Sequence, residues 1–198
     1  MQVGLLKDAR IIWCIVLSIT TAATTYGYYT YIRPLINQEL GFSPQTLSLI
    51  LLMLGILDLI GTLIGGRLAE NNPIKKLRFI YLFMAIMLLL FSLAMQHKAT
   101  GILLLASMML LFPAAQSPIK IYFLNVASKD YPASISLASS LNAVFYNVGI
   151  AIASLSAGFT LEHFGLRHLG FNSLVYCLIA LSSIFILIYL NKRHAPKI

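Results

Sequence analysis

Six mostly apolar segments fill the chain: about Ala9 to Ile36, Pro44 to Ala69, Leu77 to Met95, Thr100 to Ala127, Ala133 to Leu161 and Leu169 to Leu190. Each reaches the roughly 20 residues that a helix needs to cross a bilayer. In hydrocarbon, every backbone N–H and C=O must find its partner inside the protein, so isolated strands are excluded. The segments are also too long for the strands of a transmembrane barrel, which take about 9–11 residues. Composition agrees. Only 10% of the 198 residues are charged, against about 25% in a soluble domain, and the mean hydropathy is +0.86. The expected fold class is therefore all-α, a polytopic membrane protein with six transmembrane helices in one domain spanning 1–198.

The turns between segments are short, so neighbouring helices run antiparallel and both termini fall on one side. That side collects Lys7, Arg10, Arg67, Lys75, Lys76, Arg78, Lys129, Lys192, Arg193 and Lys197. The other collects Arg33, Lys98 and Arg167, and Lys120 lies inside a span. The positive-inside rule puts the richer side, with both termini, in the cytoplasm. A net charge of +8 then needs no nucleic-acid partner. Lys7, Arg10 and Ala22-Ala23 mimic a cleavable leader, but the apolar run continues to about Ile36 and reads as a retained span. Cys14 and Cys177 sit deep in apolar runs. They read as small buried hydrophobes, without disulfide or metal spacing.

One polar stretch occurs twice. "GRLAENNPIKKL" (Gly66 to Leu77) follows the second segment, and "GFTLEHFGLRHL" (Gly158 to Leu169) follows the fifth, 92 residues later. Gly66, Glu70, Lys75 and Leu77 answer to Gly158, Glu162, Arg167 and Leu169. Residues about 1–98 and 99–198 then form two copies of a three-helix unit. Because three is odd, the copies are inverted in the membrane, an arrangement typical of transporters. The competing explanation is that any loop after a helix gathers Gly and charge.

The polar residues inside the spans are the functional candidates. Asp58, in "LGILDLIGTLIGG", lies near the bilayer midplane, where Asp costs about 2.5–3.5 kcal/mol on insertion scales. Two readings stand side by side. The carboxyl carries a proton, ion or polar substrate, or it is a protonated structural group on the close-packing face of Gly61 and Gly65. Lys120 is expected at a depth close to that of Asp58, either paired with it or snorkelling toward the headgroups. Gln116 is one turn before Lys120, between Pro113 and Pro118, which remove helical donors. Asn142 and Asn147 project about 140° apart, so one faces a cavity while the other bonds a neighbouring helix. Gly149, Ala153 and Ala157 make a strip for tight packing. Tyr26 and Tyr29, on a face with Ala22 and Arg33, suit a cavity wall, while an interfacial belt is the other reading for Tyr31 and Arg33. Ser43-Pro44, behind Gly41, marks a helix start.

Enzyme chemistry is absent from the pattern. There is no phosphate-binding Gly loop, no Gly-x-Ser-x-Gly and no His-Glu-x-x-His. His163 and His168 make a poor metal pair, and neither metal nor other cofactor is expected.

"GGRLAENNPIKKL" resembles the loop motif of the major facilitator superfamily, Gly-x-Leu-x-Asp-Arg-x-Gly-Arg-Lys. Gly66, Leu68, Ala69 and Lys75 match, Glu70 replaces Asp, and Asn71, Pro73 and Ile74 depart. "YGYYTYIRPLINQELGFS" and "LNAVFYNVGIAIASLSAG" are similar to the seventh and eleventh helices of the arabinose-efflux and drug-efflux branch, and Pro113 and Gln116 to its tenth. The resemblance implies the carboxy-terminal half of a twelve-helix transporter, whose first, second, fourth and fifth helices line the cavity. It implies a gating loop at Gly66, Glu70 and Lys75, weakened by the departures.

The resulting expectation is alternating-access transport of a small molecule, with proton-coupled efflux through Asp58 and Lys120. Tyr26, Tyr29, Gln116, Asn142 and Asn147 would bind substrate. The expected partners are the lipid bilayer, the small-molecule substrate, protons, and an amino-terminal six-helix half or a second copy. The expected location is the plasma membrane, in bacteria the inner one. The alternative is a truncated or partner-dependent membrane subunit that does not itself transport.

Overall fold

The computed structural model describes residues 5, 7–70 and 72–194. Asn71 and Lys197, used above in the loop motif and the charge count, lie outside them. Six long helices carry the fold: α1 (Ala9–Tyr29), α2 (Pro44–Leu68), α3 (Pro73–Leu89), α4 (Lys98–Asp130), α5 (Ile135–Phe164) and α6 (Leu169–His194). Five of them are long and apolar enough to cross a membrane. The third, at 17 residues, falls just short alone. It is extended across a turn at Leu90 by the short helix Phe91–Ala94. The protein is an all-α polytopic membrane protein.

Local chemistry explains most boundaries. Asp8 caps α1 by accepting from the Arg10 amide, and Ser43 caps α2 by accepting from Thr46, with Pro44 at the first turn. Gly41 takes a left-handed φ of 65° on the approach to that turn. The first apolar segment is not one helix to Ile36. α1 ends at Tyr29, followed by a turn at Ile32–Pro34 and a π-helical turn at Leu35–Glu39. Pro34 has no N–H to offer the Thr30 carbonyl, so the α-ladder is interrupted there. The two copies of the polar stretch make their turns one position apart. Asn72 is left-handed at φ 58°, whereas in the second copy Gly165 is at 82°; Gly165 corresponds to Pro73, which cannot adopt positive φ. Asn is among the few side chains that tolerate this region.

α1 and α4 occupy the centre. In their most apolar stretches they are 61% and 56% buried, against 17% for both α2 and the fifth span. α1 packs chiefly on α6 and α5, α2 on α4, and α3 on α6 and α4. The α2–α4 contact is made by backbone. A Cβ at Gly61 would run into the Leu110 carbonyl, and one at Gly65 would lie 2.9 Å from the Ala114 oxygen. Pro118 denies Ala114 its helical donor, so the carbonyl freed by that proline is the one against Gly65. α4 nevertheless stays helical through Pro113 and Pro118. Gly149 of α5 does the same on α1, where a Cβ would strike the Ile19 carbonyl, and Ala153 and Ala157 are fully buried beside it. Cys14 and Cys177 are buried, free thiols.

A central cleft in two chambers

Side-chain bonds fix the two ends of the bundle. At the end where the chain enters α1, Arg10 donates to Asp8 (2.6 Å) and to Asp130 at the end of α4 (2.6 Å). The Tyr131 hydroxyl also donates to Asp8 (3.2 Å). Burial alone pushes the Asp8 carboxyl up, but the hydrogen bonds and charge of Arg10, with Tyr131, outweigh it and hold the pKa below 3.8. At the opposite end Arg167, in the α5–α6 turn, pairs with Glu39 (2.6 Å).

Between these ends lie two chambers in series. The first, about 740 Å³, opens among α1, α2, α4 and α5 toward the Glu39–Arg167 end. Tyr26, Tyr29, Asp58 and Gln116 line it, together with Arg33 and Tyr146. Tyr26 holds Tyr29 edge-on at 5.7 Å and Tyr146 at 6.4 Å, the offset geometry that aromatic quadrupoles favour. Asp58 sits fourteen residues into the 25-residue α2, near its middle. Among the described residues its carboxylate has no ion-pair partner.

The second chamber, about 390 Å³, lies among α1, α4 and α5 toward the Asp8–Arg10 end. It holds Lys120, Asn142 and Asn147 and shares Gln116 and Tyr146 with the first. Asn142 accepts from Ser18 of α1 (2.8 Å). Asn147 donates only to Ala143 of its own helix (2.9 Å) and stays exposed. Asn142 bonds the neighbouring helix, but the expected division is incomplete, because both amides line the chamber.

Asp58 and Lys120 do not lie at a common depth. Gly61 rests against Leu110 and Gly65 against Ala114, so the parallel helices α2 and α4 run in a fixed register. Asp58 is then level with about residue 107, thirteen residues or roughly 20 Å before Lys120. The 33-residue α4 outruns α2 at that end. No ion pair joins them, and they line different chambers.

In the last turn of α2, Gly66 faces open space, and Lys76 in the first turn of α3 donates to the Glu70 carbonyl between the helices (2.8 Å). Glu70 and Lys75 form no ion pair among the described residues. Tyr146, Ser18 and Ser139 are among the cleft residues that escaped the sequence reading. Tyr146 lies one turn beyond Asn142, a spacing that could have flagged it. Arg33, for which the sequence leaves open both an interfacial belt and the face of Tyr26 and Tyr29, lines the first chamber.

Membrane-spanning helices thus surround a polar cleft in which Asp58 has no ion-pair partner among the described residues. A profile of the major facilitator superfamily matches residues 2–154. The chain belongs to the major facilitator superfamily, and its role is accordingly not that of an enzyme. It is similar to an uncharacterized MFS-type transporter of Bacillus subtilis (strain 168), at 30% identity over 84% of this chain and 42% of the relative. It is similar to a probable sugar efflux transporter of Helicobacter acinonychis (strain Sheeba), at 29% identity over 84% of the chain and 42% of the relative. It is also similar to an inner membrane transport protein of Escherichia coli (strain K12), at 24% identity over 99% of the chain and 49% of the relative. The chain thus spans less than half the length of these relatives.

Proposed function

We propose that this chain is one six-helix half, the carboxy-terminal one, of a transporter that moves a small molecule across a membrane by alternating access. The carrying observation is the first chamber, where Asp58 stands at mid-helix with no ion-pair partner on a wall of tyrosines. A carboxyl kept at a depth where it costs about 2.5–3.5 kcal/mol has to interact with something mobile or be protonated, and a proton exchanged against substrate meets both conditions.

Reciprocal packing supports the inverted repeat. α2 of the first unit closes on α4, the first helix of the second unit, while α5 closes on α1. Ala153 and Ala157 stand 92 residues after Gly61 and Gly65, and all four are buried at these contacts. Two units that pack in each other's manner can exchange roles as the cleft opens to one side and then the other. The two chambers would be successive parts of that route, with the loop at Gly66, Glu70 and Lys75 on the cytoplasmic face beside both termini.

A second half would complete the cleft. α2 and α5 are the least buried spans, yet Asp58 of α2 and Asn147 of α5 are exposed beside their apolar faces. Lipid chains satisfy Leu63 or Leu155 but not a carboxylate. A second six-helix body, from a longer chain or another copy, satisfies both and agrees with relatives about twice as long. Efflux of a sugar or similar solute through a bacterial inner membrane follows from the names those relatives carry. The same half-length coverage favours one other reading, a partner-dependent subunit that does not transport.

The test is proton-driven flux by the full-length protein in proteoliposomes, with a panel of radiolabelled sugars and an imposed pH gradient. Asp58→Asn abolishes the response to the gradient while sparing exchange of substrate for substrate. Normal, pH-dependent transport by Asp58→Asn removes the acid from the mechanism, and no flux with the wild type favours the subunit.

A further inference from the structure

We propose that the second chamber is a binding site for the anionic group, carboxylate or phosphate, of the transported molecule, with Lys120 as its counter-charge. The proposal rests on the transport reading and gives that site a substrate class.

Lys120 is the only formally charged residue among those lining the chamber. It makes no ion pair with a described residue. Around it stand hydrogen-bonding groups and no acid: Ser18, Gln116, Ser139, Asn142 and Asn147. Of the acids at that end, Asp8 and Asp130 are both bound to Arg10, and Glu70 is not among the residues lining the chamber. Asp58 cannot serve from the first chamber, roughly 20 Å along the helix axis.

Lys120 is exposed, and its ammonium attracts an opposite charge that enters the chamber. The Asn147 and Gln116 amides and the Ser139 hydroxyl can donate to further oxygens of the same group. The first chamber differs: it is wide and aromatic and carries both Asp58 and Arg33, a wall suited to the uncharged body of a polyol or ring. Gln116 and Tyr146 line both chambers, so one molecule can span them with its anionic end at Lys120. A neutral solute would leave that cation unanswered.

The test uses the full-length protein in maltoside detergent and three six-carbon probes: sorbitol, gluconate and sorbitol 6-phosphate. A limiting amine acetylation reagent labels the protein, and mass spectrometry reads the rate at Lys120, with Lys98 and Lys76 as internal references. One or both anions are expected to slow labelling of Lys120 at least five-fold more than sorbitol does, without slowing the references. Whichever anion acts identifies carboxylate or phosphate. A further arm adds phosphatidylglycerol, because a lipid headgroup could supply the same chemistry. In thermal unfolding the effective anion raises Tm in the wild type and in Lys120→Arg, and Lys120→Gln loses that rise. Equal protection by sorbitol, no protection by either free anion, or protection by phosphatidylglycerol alone overturns the proposal. None of these readouts needs flux, so protection without transport would sink the transport reading and leave the anion site standing.

Discussion

Gly61→Ala and Gly55→Ala are the same chemical change in the same helix, and the structure gives them opposite signs. In an exposed helix interior, Gly→Ala stabilises by roughly 0.5–1 kcal/mol through backbone entropy. Gly55 has nothing within 4 Å of a would-be Cβ, so it should collect that gain in full. Gly61 is different: its Cβ would collide with the oxygen, carbon and Cα of Leu110. These are backbone atoms of a central helix, and no rotamer change removes them. Overpacking of this kind costs about 1–3 kcal/mol, occasionally more. The contact takes the upper part of that range because α2 must move bodily away from α4. Subtracting the entropic gain leaves about 1–2 kcal/mol of destabilisation. At about 2–4 °C per kcal/mol for chains of 150–250 residues, Gly61→Ala lowers Tm by roughly 2–8 °C, while Gly55→Ala raises it by a few degrees. Fluorescence-detected size exclusion after a heating series, in one detergent, reads both. Equal Tm values for the two variants would mean that α2 and α4 are not in backbone contact. The α2–α4 register, and with it the separation of Asp58 from Lys120, would then be wrong.

Other outcomes follow from the ends and the seams of the bundle. The Asp8 carboxyl is held below its ordinary value by Arg10, so its contribution is complete above about pH 5 and fades as pH falls through the depressed value. In thermal unfolding, the Tm gap between wild type and Asp8→Asn is therefore widest near neutrality and narrows as pH falls below the ordinary carboxylate range. Ser18→Ala and Asn142→Ala each break one interhelical bond, for about 0.6 kcal/mol, the mean found for such bonds in a membrane protein; the double variant should cost little more than either single one. Asn72→Gly is expected to match or exceed wild-type Tm, and Asn72→Val to lose about 1–2 kcal/mol, because only the left-handed backbone at φ 58° distinguishes them.

Much of the architecture is a one-dimensional property and was legible as such. Apolar runs of sufficient length have only helices available in lipid, and Ser43-Pro44 and Gly41 supply their own turn chemistry. Boundaries set by one missing donor were harder to see. Pro34 interrupts α1 early through the Thr30 carbonyl, and the third span needs a second short helix after Leu90. Tyr26, Tyr29, Asp58 and Gln116 do share a chamber, since residues costly in lipid have few other places to go.

The sequence by itself determined the class of solvent, the order of the apolar segments, the small-residue strips and the residues too polar to face lipid. These depend on composition and helical periodicity alone. Tertiary structure decided relative depth. Counting inward from helix ends puts Asp58 and Lys120 side by side, but α4 is eight residues longer than α2 and slides past it. The register is set where Gly61 and Gly65 meet the Leu110 and Ala114 carbonyls. That sliding fit, which no single segment encodes, separates an acidic, aromatic chamber from one with a lone lysine, and adds Tyr146 to the wall.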